Sequence, residues 1–497
     1  MSKIFKRLTA LLLVLTLAGS LAACKKENDE NSEALKVMNT EAVSVGNHKV
    51  SAAELNYFYM DAITDWYNTY GTSMGLDITK PLNEQVLNAS TGKTWADNFL
   101  SIALENIQST YALYDLAMAN GFKLSEAEQK SLDSVITELE TMIEYYVKLY
   151  SSYGMTYPYP DVASYLESVY GVGATVENYK AYSAVCTIAE AYYNAYADSL
   201  EYTSQQLREY EKDKYKNYCS YSFTVYFVSV ADYESAEAAK ADAELLASGT
   251  YADKDAFDAA IKALTINADK EKPTLSEANS HMIYTQIATD YSDWLSEAGR
   301  LPGDMGMIAK ESTDSTTVKG YYVIRFDGST DNNEIMKNFR HILIKFEGGV
   351  FNAITGETTY SAEAKAAAQF KAEELWVEYR TGSASELRFI DLANKNSDDN
   401  MPGGLYENVR PGQLPTALND WIFDSLRMPG ETALVESELG WHVLYFVGDA
   451  KQTYRDYMLE NDLRNEDLST WYDALLESIS ISLLNDTYVN KALIIQR

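Results

Sequence analysis

Two of the four histidines in this 497-residue chain lie in short stretches that read as buried strands. His341 lies in "FRHILIKF" and His442 in "GWHVLYF", where aliphatic and aromatic residues favour β-structure. The nearby segment "NSDDNMPGG" supplies a carboxylate, from Asp398 or Asp399. Two imidazoles and a carboxylate can form a hydrogen-bonded network, can bind a metal ion as a facial triad, or can be ordinary core residues.

The surrounding residues favour a network beside an apolar pocket over the other two interpretations. No helix here carries paired metal ligands, so neither a metal ion nor a cofactor is expected. The region has no cysteine and no nucleophile elbow, which argues against covalent catalysis. Leu414 and Leu418 in "GQLPTALNDWIF" have the spacing of one helical turn and can form the apolar side of a pocket. The Gly403-Gly404 pair permits a tight backbone turn beside it.

These residues lie in the second of two similar sequence segments. The stretch "DWLSEAGRLPGD" at 293–304 matches "DWIFDSLRMPGE" at 420–431, and "GYYVIRF" at 320–326 matches "GWHVLYF" at 440–446. We therefore predict two copies of one α+β module, at about 218–329 and 336–450, each a small antiparallel sheet with flanking helices. The first and last strands of such a sheet are often neighbours, so the two rings are expected to face each other.

The segments on either side of the modules are predicted to be helical. Residues 39–217 are predicted to begin with a hairpin at Gly46-Asn47 and to continue as helices, because apolar residues then recur at three- and four-residue intervals. Residues 451–497 form a C-terminal helical segment that is expected to dock back on the N-terminal helices. The predicted fold class is therefore multidomain: a helical N-terminal domain, two α+β modules and a C-terminal helix.

The first 24 residues have the features of a bacterial lipoprotein signal peptide. A basic start precedes an apolar stretch that ends in "LAAC" at Cys24. Lipidation of Cys24 would hold the protein on the extracytoplasmic face of the cell membrane; the alternative is a chance cysteine near an ordinary cleavage site. Residues 25–38 are predicted to be a flexible polar tether. No later segment is long and apolar enough to span a bilayer.

Net charge and cysteine content bear on the expected partners and on disulfide formation. The formal net charge of -32 excludes nucleic acid as an expected partner, because phosphate binding needs clustered Lys and Arg. Outside the cytoplasm Cys186 and Cys219 can form a disulfide, while their apolar and aromatic neighbours fit buried thiols equally well. The 39 tyrosines suit semi-exposed grooves as well as cores.

The second module resembles the parvulin-type peptidyl-prolyl cis/trans isomerases. The resemblance covers about 110 residues and is carried, in order, by "RHILIKF", "FIDLANKNSDD", "GGLYENVRPGQLPTALNDWIF", "MPGET" and "GWHVLYF". The wider layout is similar to the extracytoplasmic foldase lipoproteins and periplasmic chaperones of that family. The resemblance implies a non-covalent isomerase without cofactor. It also implies unfolded secreted proteins with X–Pro bonds as partners, and it leaves a homodimer open.

The resemblance also implies roles for single residues. His341 and His442 fall on the family's paired histidines, and Asp399 falls where the family has Cys or Asp. The residues that fall on the proline pocket or its polar edge are Leu414, Leu418, Tyr406, Phe423 and Ser437, the last at a Ser/Thr position that hydrogen-bonds the second histidine. The sequence departs from the family in "GGLYEN", which replaces the commoner Gly-Gly-Asp-Leu-Gly, and in having Leu where Met and Phe often line the pocket.

The first module lacks these residues. Tyr322 occupies the position of His442, the strand "FTVYFVSV" contains no histidine, and His281 has no counterpart in the motif. We expect a parvulin-like fold without isomerase activity there. Two other functions stay open at this point: a chaperone that holds unfolded chains without catalysis, and a lipoprotein that binds a small solute.

Overall fold

The computed structural model describes residues 30–264, 266, 276–313, 317–352 and 357–495. The chain is a multidomain α+β protein, which confirms the predicted class at that level. It divides into two compact units, Met1–Glu201 with Arg464–Arg497, and Tyr202–Leu463. The predicted signal peptide and Cys24 lie outside the described residues.

The first unit packs helices around one aromatic core. Its helices before residue 201 are α1 (Glu30–Asn39), α2 (Ala52–Tyr70), α3 (Trp95–Ala119), α4 (Glu126–Ser152), α5 (Val162–Tyr170) and α6 (Val176–Ser199). Five of them begin at a side chain that accepts a backbone amide hydrogen bond, namely Ser51, Thr94, Ser125, Asp161 and Thr175. The largest fully buried core side chains are Tyr57, Phe58, Tyr59 and Phe99.

Helix α1 differs from the predicted tether, since it occupies most of 25–38. Val37 is 2% exposed and packs into the aromatic core. Burial of a valine side chain contributes about 1.5–3 kcal/mol, which is enough to hold a short polar helix against the unit.

Four short strands complete this part of the first unit. Strands β1 (Glu41–Val45) and β2 (His48–Ser51) form the predicted hairpin. Gly46 turns the chain with φ of 53°, a conformation that glycine adopts without steric cost. Strands β3 (Val86–Asn88) and β4 (Lys93–Thr94) pair separately.

The second unit begins with α7 (Ser204–Glu211) and a four-stranded antiparallel sheet. The strands of this sheet are β5 (Ser220–Ser229), β6 (Glu277–Ile283), β7 (Met305–Glu311) and β8 (Val318–Thr330), in the order β6-β5-β8-β7. The helices in this stretch are α8 (Ala236–Ala247), α9 (Lys254–Lys262) and α10 (Ser292–Leu295).

A second four-stranded sheet follows in the same unit. Its strands are β9 (Ile335–Lys345), β12 (Leu405–Val409), β13 (Thr432–Glu436) and β14 (Gly440–Thr453), in the order β12-β9-β14-β13. In chain order, β9 is followed by a two-stranded ribbon of β10 (Val350–Asn352) and β11 (Glu357–Thr359). The helices α11 (Ala362–Thr381) and α12 (Glu386–Asn396) come next, and α13 (Thr416–Ile422) follows β12. Both sheets therefore place their first and last strands side by side at the centre. The exact module boundaries stay predictions.

The matching sequence motifs make matching contacts. The guanidinium carbon of Arg300 lies 3.6 Å from the centre of the Trp294 ring, and that of Arg427 lies 4.0 Å from the centre of the Trp421 ring. Each arginine also donates its Nε–H to the carbonyl of the same tryptophan, at 2.6 and 3.0 Å respectively. The loop before the last pair of strands is thus built in the same way in both sheets.

The chain after residue 450 links the two units. Helix α14 (Tyr454–Glu477) begins in the second unit, where buried Arg455 pairs with Glu211 of α7 and donates to the Asp331 carbonyl at 2.9 Å. The helix ends in the first unit, where Tyr472 joins a cluster with Leu113 and Ala189.

A final short strand completes the first unit. Strand β15 (Ile481–Leu483) pairs antiparallel with β1, with Leu483 opposite Val43. The predicted docking of the C-terminal segment on the N-terminal part of the chain is confirmed.

Cys186 and Cys219 do not form a disulfide with each other. Of the two alternatives from the sequence, the disulfide is wrong and the packed thiols are right, with Cys219 buried and Cys186 half-buried. Within the described part of the chain, no helix is both long and apolar enough to cross a membrane.

Candidate active site

The two histidines are brought together by the register of the central strands. In the pairing of β9 with β14, His341 is opposite Leu444 and His442 is opposite Leu343. Residues opposite each other share a face of the sheet, so the two imidazoles are diagonal neighbours on one face. Their Nδ1 atoms are 3.0 Å apart and their ring planes differ by 12°.

Asp399 supplies the carboxylate, after α12 ends. Its Oδ2 lies 2.7 Å from Nε2 of His341. Asp398 turns away to accept a hydrogen bond from the Lys345 amide at 2.9 Å. The short turn after α12 is fixed because Ser397 Oγ accepts the Leu343 amide. The residue pattern alone left Asp398 and Asp399 equivalent, and the carboxylate that contacts His341 is Asp399, the one implied by the family resemblance.

Two hydroxyl groups complete the network at its ends. The Tyr406 hydroxyl donates to Oδ2 of Asp399 at 2.7 Å. Ser437 Oγ lies 2.8 Å from Nε2 of His442. The polar residues implied by the family resemblance thus form one continuous chain of hydrogen bonds.

The direction of donation along this chain follows from its ends. Ionised Asp399 can only accept, so His341 donates its Nε2 proton and keeps Nδ1 as an acceptor. His442 must then donate from Nδ1, which leaves its Nε2 to accept the Ser437 hydroxyl proton. Ser437 Oγ in turn accepts the Leu439 amide at 3.1 Å. Each imidazole has one assigned tautomer, and both rings are neutral in this arrangement.

The pKa shifts of the site residues agree with two neutral imidazoles beside an ionised carboxylate. Burial lowers the pKa of His341, although Asp399 opposes that effect. Burial and the neighbouring His341 lower the pKa of His442 to about 3. Burial alone would raise the pKa of Asp399, but hydrogen bonds from Tyr406 and His341 outweigh it and lower that pKa. Burial and the Asp399 carboxylate raise the pKa of Tyr406 to about 12.

The Gly403-Gly404 turn lies directly against the first histidine. Gly404 has φ of 64°, and a Cβ atom there would lie 2.1 Å from the carbonyl oxygen of His341. Gly403 has φ of 59° and accepts a hydrogen bond from Arg340 at its carbonyl. The tight turn expected from the sequence is thus a close backbone approach that excludes any side chain at Gly404.

An apolar cluster lies on the same face of the sheet as the histidines. Its buried members are Phe339, Val409, Leu418, Ile422, Leu444 and Phe446, and its half-buried members include Tyr406, Leu414 and Phe423. Leu414 precedes α13 instead of lying within it, because Pro415 is the residue at which the helix starts. The expectation of two leucines one turn apart on a helix is therefore wrong for Leu414, although both leucines join the cluster.

Of the buried members of this cluster, the sequence interpretation had named Leu418 alone, and three of those it missed lie on the two central strands. Phe339 lies two residues before His341, and Leu444 and Phe446 lie two and four residues after His442. The Phe339 ring stacks on Tyr406, with ring centres 5.4 Å apart. The signal was present, since alternate residues of a strand share a face and each histidine marks the face of the pocket.

The described residues of the first sheet form no such network. The pairing of β5 with β8 places Val225 opposite Ile324 and Phe227 opposite Tyr322. Val225 and Tyr322 therefore occupy the positions of His341 and His442. Tyr322 packs by its ring against Phe227 and Tyr291, at 4.9 and 5.2 Å between centres.

The same geometry bears on metal binding. Among the described residues, no group of three or more His, Cys, Asp or Glu side chains is placed to hold a metal ion. His341 lies in the middle of the network, with both ring nitrogens engaged by His442 and Asp399. The site residues are arranged as a hydrogen-bonded wall beside an apolar cluster.

Comparison with protein families identifies this region. Residues 321–450 match the model of the PPIC-type PPIASE domain, a peptidyl-prolyl cis/trans isomerase family. The chain contains a PPIC-type domain. The match begins within β8, ahead of the start that the sequence predicted at 336, and it contains both histidines and Asp399.

Solved structures similar to the chain belong to isomerases. The PPIase domain of TBPAR42 is 22% identical over 22% of this chain and 98% of its own, with a TM-score of 0.18. Peptidylprolyl isomerase (PrsA) from Bacillus cereus is 16% identical over 30% of this chain and 50% of its own (TM-score 0.19). Its Bacillus anthracis counterpart is 18% identical over 30% and 59% (TM-score 0.18). This chain thus spans about half the length of the two PrsA structures. No curated protein matches the chain.

Proposed function

We propose that the PPIC-type domain catalyses cis/trans isomerisation of X–Pro bonds in exported polypeptides that have not finished folding. The observation that carries the proposal is the network of His341, His442 and Asp399 beside the apolar cluster, present in the second sheet and replaced in the first. A proline ring is apolar and its amide is polar, so it needs a surface of this mixed kind.

The reaction sets what the site must do. The X–Pro barrier of about 20 kcal/mol comes from amide resonance, and no bond has to be made or broken. Catalysis requires that the twisted amide be bound more tightly than either planar form, with about 1.4 kcal/mol of preference for each tenfold in rate. Leu414, Leu418 and Phe423 would hold the ring in a water-poor pocket, which favours the twisted amide because its charge separation is smaller.

The histidines would act as the wall of the pocket and not as bases. Both are buried, at 6% and 2% exposure for His341 and His442, and both are neutral in the assigned tautomers. Their hydrogen bonds fix the position of Asp399, which accepts the hydroxyl proton of Tyr406, and Tyr406 packs against the apolar cluster. The network would therefore preorganise the polar side of the pocket, where stabilisation in the transition state has its largest effect.

The proposal is tested by proline isomerisation in a tetrapeptide substrate. The chain from residue 25 to 497 should accelerate the reaction, and His341→Ala or His442→Ala should reduce kcat/KM by about tenfold or more, the scale seen when one preorganised polar group is lost. Tyr322→Phe is the matched control, because it removes a polar group from the equivalent position of the first sheet and should leave activity unchanged.

Some outcomes would overturn this assignment. An equal loss in Tyr322→Phe would show that the measured effect does not come from the histidine network. No isomerisation by the parent chain, with intact suppression of aggregation of an unfolded protein, would instead favour a chaperone that only holds its clients.

A separate observation supports a chaperone function in which the protein holds unfolded chains. The C-terminal half of α4 and the loop after it carry exposed apolar side chains, with Tyr145 at 59%, Tyr153 at 71% and Met155 at 54% exposure. Such groups can contact apolar stretches of unfolded chains. We include aggregation suppression by the first unit as a second activity of the same protein, measured separately from isomerisation.

The proposed place of action is the extracytoplasmic face of the cell membrane. This rests on the sequence, in which a basic and apolar leader ends in "LAAC" at Cys24. Clients would then be secreted proteins that fold after export. Replacement of Cys24 by Ser should release the protein from the membrane fraction, and retention in that fraction would contradict a lipid anchor.

A further inference from the structure

The Gly403-Gly404 turn connects two residues of the histidine network. Asp399 lies shortly before the turn, and β12 carries Tyr406 shortly after it. The two side chains meet, because the Tyr406 hydroxyl donates to Oδ2 of Asp399 at 2.7 Å. The path of the turn therefore sets where the carboxylate and the hydroxyl group lie relative to His341.

A side chain on the other face of the sheet binds the turn. Arg340 precedes His341 in β9, so the two side chains point to opposite faces. Arg340 donates from Nη1 to the carbonyl of Gly403 at 3.0 Å and from Nε to Glu386, at the start of α12, at 2.9 Å. Its side chain is only 11% exposed, so both charge-assisted hydrogen bonds are largely shielded from water.

A second side chain binds the same glycine. Asn394 of α12 accepts the Gly403 amide proton at Oδ1, at a distance of 2.6 Å. Both backbone polar groups of Gly403 are thus bound by side chains, one from β9 and one from α12. The next hydrogen bonds lead into the network, since the Gly404 amide donates to the Met401 carbonyl at 2.8 Å and the Met401 amide donates to Oδ1 of Asp399 at 3.3 Å.

Packing leaves the turn little freedom to shift without moving its neighbours. Gly403 and Gly404 are both buried. A Cβ atom on Gly403 would lie 2.9 Å from Nη1 of Arg340 and 3.0 Å from a methyl carbon of Ile390 in α12. The turn is therefore packed between α12 and β9, and a displacement of Gly403 would be passed along the chain to Asp399 or to β12.

We propose that Arg340 and Asn394 are positioning residues that hold the turn and thereby place the Asp399 carboxylate in the network. The assignment rests on the proposed isomerase function and extends its machinery to the face of the sheet away from the pocket. The apolar cluster that would bind the proline ring contains neither residue. Loss of either side chain should therefore slow the catalytic step more than it weakens substrate binding.

Tetrapeptide kinetics with the chain from residue 25 to 497 provide the first test. Arg340→Met and Asn394→Ala should each lower kcat about fivefold with little change in KM, the scale of one lost hydrogen bond. Arg340→Lys keeps the charge without the planar fork that reaches both Glu386 and Gly403, so it should be impaired like Arg340→Met.

The chain offers a matched control for each variant. Arg388 and Asn396 belong to the same helix, α12, and donate to the carbonyls of Glu378 and Leu392 instead of to the turn. Arg388→Met and Asn396→Ala should therefore keep the kcat and KM of the parent chain.

The second test measures the network without a substrate. Burial alone would raise the pKa of Asp399, but hydrogen bonds from Tyr406 and His341 outweigh it. The pKa of Asp399, measured by NMR from the pH dependence of its carboxyl carbon shift, should therefore rise in Arg340→Lys and Asn394→Ala. It should stay at the parent value in both controls. Arg340→Lys keeps the positive charge, so a rise in that variant comes from geometry.

The two measurements separate this assignment from the isomerase proposal. A parent-like kcat in the Arg340 and Asn394 variants would overturn the assignment. A fall in kcat with an unchanged Asp399 pKa would overturn it as well, because the effect would then not pass through Asp399. An inactive parent chain would overturn the isomerase proposal, while the Asp399 pKa would still show whether the two side chains place the carboxylate.

Discussion

Each imidazole of the network is held in the neutral form by its surroundings. Protonation of His442 would place a positive charge in a buried site, where Nδ1 of His442 lies 3.0 Å from Nδ1 of His341. The pKa of His442 is therefore lowered to about 3, while that of His341 is lowered less completely because Asp399 opposes the effect. In the unfolded chain both rings have a pKa near 6.5.

This difference predicts acid sensitivity of the second unit. Between pH 6.5 and 3 the unfolded state binds a proton at His442 that the folded state does not, so the free energy of unfolding falls as pH falls through that window. The contribution of this residue approaches about 1.4 kcal/mol per pH unit. Urea unfolding measured from pH 7 to 4 should show a shallower pH dependence in His442→Phe than in the parent chain.

The pH dependence of unfolding is compared with that of His48→Phe, which removes a histidine from the first unit. His48 is half-buried, and its Nε2 lies 2.7 Å from Oδ1 of Asp115. If the parent and His442→Phe lost stability with the same slope, the lowered pKa of His442 would be wrong.

The positions of site residues on strands could be predicted from the sequence, because the alternation of a strand sets the face on which each side chain lies. The positions of site residues in turns could not be predicted in this way. The alternation of β-strands and the neighbouring first and last strands were enough to pair His341 with His442. The choice between Asp398 and Asp399 depends on hydrogen bonds from Ser397 and Lys345 that no periodic pattern encodes. Whether Cys186 and Cys219 form a disulfide likewise depended on tertiary packing.

At the scale of elements, the first sheet touches the loop that carries a pocket residue of the second. His281 of β6 has φ of 53°, unusual for a residue other than glycine, and lies against Gly412, two residues before Leu414. A Cβ atom on Gly412 would lie 2.5 Å from Nδ1 of His281. The sister sheet, which lacks the histidine network, thus supports the loop at the entrance of α13.

Gly412→Ala should therefore lower isomerase activity. Gly412 has φ of 75°, which strains any other residue, and an added methyl group would clash with the His281 ring, so that ring or the loop that carries Leu414 must shift. We expect a fall in kcat/KM of several-fold, recovered in large part by adding His281→Ala, which removes the obstruction. Gly430→Ala is the control, since Gly430 has a similar φ of 89° but no atom closer than 3.9 Å to the added group.

A double variant no more active than Gly412→Ala would show that backbone strain alone causes the loss. No pattern in the amino-acid sequence indicates this contact between His281 and Gly412. His281 has no counterpart in the repeated motif, and contacts between two copies of a repeat depend on how the copies pack. The repeat itself was predictable, because the Trp-Arg loops that mark it make the same local contacts in both sheets.

At the scale of the whole molecule, the first unit is built from both ends of the chain. The last residues reach its core, where Val489 is 8% and Ile495 is 1% exposed, and the amide of Leu82 donates to the carbonyl of Leu493 at 3.0 Å. Fully burying each of the two side chains contributes about 1.5–3 kcal/mol. The second unit is one continuous segment of chain.

Removal of residues 479–497 should therefore destabilise the first unit and spare the second. The loss of β15 and of two core side chains should expose the first unit to limited proteolysis and lower its melting transition. Isomerase activity per molecule should stay near that of the parent chain. Equal protease resistance in the truncated and parent chains would contradict the role given to the C-terminal segment.

The pairing of β1 with β15 also sets an order of assembly. Strand β1 is synthesised before the second unit, but its partner β15 is synthesised after it. The contiguous second unit can fold as soon as it has been made, whereas the first cannot be completed until β15 has followed. A foldase built in this way would have its catalytic part ready before its own helical part has closed.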